Sequence, residues 1–205
     1  MSETAQAIRL ADYKPYPATF HAARLSFDLG EESTLVEAEV DVAPTDPGQP
    51  LWFDGLDMEL KAIWIDGVAL REGTDYVLEA TGLRLLKYPA QRFKLGIISQ
   101  IKPQDNTKLE GLYKSSGNFC SQCEAEGFRH VVYWPDRSDV LTTFTVKIVA
   151  DKKTYVVKKH PKRPELVERL HGVHGGHVKV KGKVTTTETG HEVVLEEIVT
   201  KPAAK

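Results

Sequence analysis

With 205 residues the chain is long enough to bury one substantial hydrophobic core, and its apolar share of 41% suits a globular domain. Lysine and arginine number 27 against 29 aspartate and glutamate, so the formal net charge of −2 excludes a global pull toward nucleic acid or anionic membrane. The opening MSETAQAIRLADYKPYP lacks a continuous apolar run, so neither a secretion signal nor a membrane span is expected; with no disulfide framework in two cysteines, the expected compartment is the cytoplasm.

Strand-like alternation starts early. Ala23, Leu25, Phe27 and Leu29 are apolar while Arg24, Ser26 and Asp28 between them are polar, the period of a half-buried strand. After Gly30-Glu31-Glu32-Ser33 the pattern repeats, with Val36, Ala38, Val40 and Val42 opposite Glu37, Glu39 and Asp41, so the two segments predict a hairpin. Thr45-Asp46-Pro47-Gly48 punctuates the chain as a turn. Residues 58–65 predict a further strand, Asp66-Gly67 a tight turn tolerant of positive φ, and residues 68–70 the return. Short β segments follow at 76–78, 83–86 and 93–101, separated by Gly73, Gly82 and Pro89. Residues 106–152 then combine a dense polar loop, Gln122-Cys123-Glu124, with a strand in which Phe144, Val146 and Ile148 alternate with Thr145 and Lys147. Beyond Asp151 the chain turns basic, from Lys152 to Arg163. Pro164 then opens at most one short helix near residues 164–171, and Gly172, Gly175 and Gly176 stop it. Residues 178–187 and 192–199 return to strand around Thr189-Gly190, and 201–205 form a tail. The expected class is all-β, antiparallel, with residues 1–200 as one domain.

Five groups of residues carry candidate chemistry. Glu124 and Glu126 could converge on one cation, and a carboxylate beside a partly desolvated pocket is a natural partner for a substrate ammonium, with Gln122 adding a neutral contact. By their chemistry alone, all three are better accounted for as solvated loop residues. Cys120 and Cys123 form a CxxC, but no second CxxC completes a zinc site and no βαβ context suits a redox pair, so two free thiols are expected. His171, His174 and His177 form an HxxHxxH run that could fold around a metal, although no carboxylate second shell stands nearby in sequence. His191-Glu192-Val193-Val194-Leu195 begins like HExxH but has leucine where the second histidine must be, so it offers no zinc site. The basic stretch has Tyr155 as its one aromatic, which suits a solvated surface better than a nucleic-acid platform.

Four segments give a more specific signal: Pro103-Gln104-Asp105-Asn106-Thr107, Leu109-Glu110-Gly111-Leu112-Tyr113-Lys114-Ser115, Cys120-Ser121-Gln122-Cys123-Glu124-Ala125-Glu126-Gly127-Phe128-Arg129, and Asp136-Arg137-Ser138-Asp139-Val140. Together they resemble the N-terminal domain of the bacterial aminopeptidase N family of zinc-dependent aminopeptidases, with Ser138 where proline is usual. A weaker likeness extends from about Leu10 to Lys152. The resemblance implies a saddle-shaped antiparallel β domain packed on a thermolysin-like catalytic domain. It also implies that Gln122 and Glu124 hold the free α-amine of a peptide N-terminus, while it leaves Glu126 undecided.

The departures matter as much. The family's HExxH with its third glutamate ligand, its Gly-Ala-Met-Glu-Asn loop and its oxyanion tyrosine belong to the catalytic domain, and none is present in this sequence. Zinc is therefore expected in that absent domain and no cofactor in this chain. Residues 152–178 depart from the family and are expected to be shortened or rebuilt, and Trp134-Pro135 replaces a hydrophobic pair, removing one strand donor. The expected partners are a peptide N-terminus and a catalytic domain supplied by another chain, with inactivity in isolation. The alternative is a non-enzymatic β module that binds a protein or self-associates through the face left uncovered.

Overall fold

The computed structural model describes residues 10–150, 153–158, 178–187 and 190–200. Its strands are β1 (Ala18–Leu29), β2 (Thr34–Pro44), β3 (Leu51–Asp54), β4 (Met58–Ile65), β5 (Val68–Ala69), β6 (Tyr76–Glu79), β7 (Gly82–Leu85), β8 (Phe93–Ile101), β9 (Gly111–Ser115), β10 (Asn118–Gln122), β11 (Thr143–Ala150), β12 (Lys153–Lys158), β13 (Val178–Thr187) and β14 (Gly190–Thr200). They form a nine-stranded sheet ordered β13-β14-β12-β11-β1-β2-β8-β4-β5, a three-stranded sheet β3-β7-β6 and the β9-β10 hairpin. The class is all-β, as expected.

The expected β1-β2 hairpin forms with Leu29 opposite Thr34 and Ala23 opposite Val40. A register shift between Phe20 and Ala22 explains a feature the alternation hid. Before it Ala18 and Phe20 point into the core, and after it Ala23 and Leu25 do, because one extra residue turns the inward set over. At Asp66-Gly67 both residues have positive φ, 49° and 80°, and Ile65 pairs with Val68, so this hairpin also forms as predicted.

Antiparallel pairing dominates, as expected, and two ladders within the large sheet run parallel. β1 pairs with β11, and β12 with β14, in parallel. Parallel neighbours need a long connection, and here everything between Leu29 and Thr143 serves as one; alternation in either strand carries no information about its neighbour's direction. β12 occupies part of the basic stretch from Lys152 to Arg163. The helix expected near 164–171 and most of the atypical 152–178 stretch lie outside the described residues.

The core lies between the large sheet and the small one. Val36, Ala38, Val40, Val42, Leu95 and Ile97 from the large sheet join Leu51, Phe53, Leu83 and Leu85 from the small sheet in one buried cluster. β3 had no sequence signal because four residues are too few for a period to show. It matters for the site. Asp54 exchanges two backbone hydrogen bonds with Trp134, at 2.8 and 3.0 Å, pinning the segment after the polar loop to the small sheet. Pro135 follows at once; lacking an N–H, it cannot add a donor to the pairing.

Candidate functional site

The polar loop stands on the β9-β10 hairpin. Ser116 and Gly117 at its tip have φ of 50° and 80°, the geometry of a two-residue hairpin turn, and the ladder runs from Asn118 opposite Ser115 to Gln122 opposite Gly111. The sequence reading missed this hairpin. The Ser116-Gly117 dipeptide was the available signal, a turn marker between two short apolar runs.

Gln122 ends β10, and residues 123–127 turn back into a single 3-10 turn, Phe128–His130. The return closes with the Gly127 N–H donating to the Cys123 carbonyl at 2.9 Å. A Cβ on Gly127 would lie 2.5 Å from the Gln122 carbonyl oxygen, so glycine is required by the close approach of backbone to backbone. Gln122 is half-buried and Glu124 exposed, and the Gln122 amide Nε2 donates to the Glu124 carbonyl at 3.3 Å. The peptide bond from Glu124 to Ala125 is cis. Both sequence-singled residues thus belong to one rim, the first oriented by the backbone of the second.

Glu126, undecided from sequence, faces elsewhere. Its carboxylate is 3.1 Å from Arg129 Nη2. Arg129 Nε and its backbone N–H each donate to Asp136 Oδ2 at 3.1 Å, and Arg129 Nη2 donates to the Asp136 carbonyl at 3.3 Å. Asp54 accepts from the Asp136 N–H at 3.0 Å and from Trp52 Nε1 at 3.0 Å, and stands 4.0 Å from Arg129 Nη1. Burial works against the guanidinium charge, but Asp136, Asp54 and Glu126 outweigh it and raise the Arg129 pKa. Glu126 is therefore tied to a brace beneath the loop.

The two cysteines are free thiols, as expected. Burial pushes the Cys123 thiol up to about 11, with Asp136 adding to it, the reverse of what an activated redox thiol needs. Beside the brace lies His130, with Nδ1 3.1 Å from Asp57 Oδ2 and Nε2 3.2 Å from Glu110 Oε2. Lys108 donates to Asp57 at 2.8 Å and, chiefly by that bond, holds the Asp57 carboxyl below its ordinary range; burial opposes, and Lys108 and His130 charges assist. A cleft of about 530 Å³ opens here, lined by Asp57, Met58, Lys108, Leu112 and His130 among others. Nothing in the sequence reading singled out His130, Asp57 or Glu110, whose meeting depends on three separate segments.

A zinc centre does not fit the described residues. Among them no group of three or more His, Cys, Asp or Glu side chains is placed to hold a metal. HExxH needs two histidines one helical turn apart, whereas 191–195 lies in β14, where positions four apart are separated by about 13 Å, and Leu195 fills the second position. His171, His174 and His177 lie outside the described residues. No helix among the described residues is long and apolar enough to cross a membrane.

No family model matches the chain. It is 44% identical over 153 residues to aminopeptidase N of Caulobacter vibrioides, covering 74% of this chain and 18% of that protein. To aminopeptidase N of Escherichia coli it is 38% identical over 156 residues, covering 76% of this chain and 18% of that protein. The chain thus spans about a fifth of the length of these relatives. Among solved structures, an aminopeptidase A from Legionella pneumophila, in complex with aspartic acid, superposes over 96% of this chain and 21% of its own, with a TM-score of 0.66 and 25% identity. An M1 zinc metallopeptidase from Deinococcus radiodurans shares the fold over 91% of this chain and 39% of its own, at TM-score 0.58 and 17% identity. The sequence matches and the shared fold together place the chain in the aminopeptidase N family, with an all-β architecture consistent with that family's N-terminal domain.

Proposed function

We propose that this chain supplies the amine-recognition edge of an aminopeptidase, with Glu124 pairing with the α-ammonium of a peptide N-terminus and Gln122 setting its register. The observation that carries this is the build of the rim. An exposed carboxylate and a half-buried amide share one short turn, and the hairpin, Gly127 and the Arg129 brace beneath leave that turn little freedom. A preorganised contact loses less entropy on binding than a floppy one. At an exposed edge the ion pair is worth about 0.2–1 kcal/mol, and it strengthens where a second domain excludes water. By itself the chain does not hydrolyse peptides, because its sequence carries neither HExxH nor a recognisable nucleophile-base pair. Peptide turnover requires the zinc-bearing domain. The setting we propose is cytoplasmic, in keeping with two free thiols.

The test is a titration of the isotope-labelled chain with leucinamide and with N-acetyl-leucinamide. Shifts at Gln122 and Glu124 with the free amine only, abolished in Glu124→Ala, are expected. Equal shifts with the acetylated compound would sink the assignment. An aminoacyl-anilide assay with added zinc should show no turnover.

A second reading, self-association, rests on Leu141, 81% exposed, and Phe144, 40% exposed at the edge of an aromatic cluster with Phe128 and Trp134. Sedimentation showing a clean monomer at high concentration would end it.

A further inference from the structure

We infer that the cleft beside His130 is a second ligand site, which takes a small zwitterion with an apolar side chain, the chemical class of a free amino acid. The inference goes beyond the amine-recognition proposal and uses neither Gln122 nor Glu124.

The cleft encloses about 530 Å³, room enough for a molecule of this class, and its apolar surface comes from Met58, Ile101 and Leu112. One wall is the start of β4, and the other is the loop leading into β9. That loop is held in shape from within. Asn106 Nδ2 donates to the carbonyls of Glu110 and Leu112 at 2.6 and 3.0 Å, and Asn106 Oδ1 accepts from the Leu109 N–H at 3.2 Å. Lys108 then crosses to the opposite wall, where its Nζ lies 2.8 Å from Asp57. Walls set before the ligand arrives reduce the entropy lost on binding.

The charges decide what enters. Six ionisable side chains among the described residues line the cleft: Asp57, Glu59, Lys102, Asp105, Lys108 and His130. Four are already engaged, since Lys108 and His130 both meet Asp57, His130 also meets Glu110, and Glu59 pairs with Lys61 at 2.7 Å. Lys102 and Asp105 remain, and no ion pair among the described residues takes either. The Asp105 N–H donates to the Lys102 carbonyl at 3.0 Å, so a single turn sets the spacing from which the two side chains start. The Lys114 N–H pins that turn to β9 through the Pro103 carbonyl at 2.9 Å.

A simple anion drawn to Lys102 would meet Asp105 beside it, and a simple cation drawn to Asp105 would meet Lys102. A ligand carrying both signs on adjacent groups satisfies both. Its carboxylate goes to Lys102, its ammonium to Asp105 and its side chain onto Met58 and Leu112. A bare metal ion is a poorer occupant, because no group of three or more His, Cys, Asp or Glu side chains among the described residues is placed to hold one. Free amino acids are also the class of product that an aminopeptidase releases.

Amide spectra of the isotope-labelled full chain titrated with L-leucine test this. Leucinamide, N-acetyl-leucine and glycine serve as controls that lack the carboxylate charge, the ammonium or the apolar side chain. Saturable shifts at Lys102, Asp105 and Leu112 are expected with L-leucine, and weaker ones with each control. Lys102→Ala and Asp105→Asn should each weaken the response roughly two- to fivefold, since each removes one exposed charge contact. Both positions are exposed, so the fold tolerates either change. No saturable shift at these amides, an equal response to all four compounds, or unchanged affinity in both variants would overturn the inference. Glu124→Ala should leave the cleft response to L-leucine intact, and its loss there would assign the response to the rim and overturn the inference too. Because rim and cleft are read at different amides, failure of one is distinguishable from failure of the other.

Discussion

Arg129 and His130 are neighbours in one 3-10 turn, yet they hold the recognition loop by opposite means. Arg129 donates to Asp136, pairs with Glu126 at 3.1 Å and stands 4.0 Å from Asp54, which Trp52 steadies from behind. A guanidinium keeps its proton throughout the physiological range and has five donors in a fixed fork, so this side of the loop is braced unconditionally. His130 instead meets two carboxylates from different segments, with Nδ1 3.1 Å from Asp57 and Nε2 3.2 Å from Glu110. One side of the loop is held by a guanidinium that reaches mainly its near neighbours in sequence, and the other by an imidazole whose two carboxylate neighbours come from separate segments.

The largest effect should come from breaking the unconditional side. Arg129→Ala leaves Asp54 and Asp136, both largely buried, without their cation, and should cost about 3–5 kcal/mol of unfolding free energy in urea. Gly127→Ala comes next. It strikes the contact shared by both halves and should cost about 1–3 kcal/mol while displacing Gln122, which denaturation and the leucinamide titration would both register.

A further arginine contact adds a pH dependence that Asp139 carries. Arg137 donates to Asp139 at 2.7 and 2.8 Å, and with Tyr13 it holds the Asp139 carboxyl down to about 2 against the opposing effect of burial. Because the folded pKa is depressed, the stabilisation is present above the unfolded value near 4 and is lost as pH falls toward about 2. After allowance for solvent screening it is on the order of 1 kcal/mol, and Asp139→Asn should flatten that part of an acid-unfolding curve. An arginine contact thus fails only in acid. The smallest effect is kinetic: Cys123, with its thiol near 11, should be alkylated after Cys120, and Arg129→Lys should narrow the gap by loosening the brace. Unchanged order and rates in that variant would mean that the brace does not govern access to the loop's underside.

Much of the fold was legible because its signals are local. The alternation of β1 and β2 and the Asp66-Gly67 turn each depend on a few adjacent residues, and the strands formed where they pointed. β3 was too short to show a period, and the parallel partners of β1 and β12 were invisible because alternation says nothing of direction. Gln122 and Glu124 were singled out through residue chemistry joined to family resemblance, and the amine-binding role proposed for them rests on both. Glu126, equally acidic, was separated from them only by Arg129, which drew it away from the rim.

The sequence by itself determined that this is an all-β chain of the aminopeptidase N kind, since strand period, turn residues and a dense run of matching positions are all properties of neighbours in the chain. Tertiary structure decided which charges meet. The meeting of His130 with two carboxylates needs Asp57 from the connection after β3, Glu110 from the approach to β9 and a histidine from the turn after β10. No single segment carries that arrangement, because a charge acts through distance in space and the fold alone sets that distance.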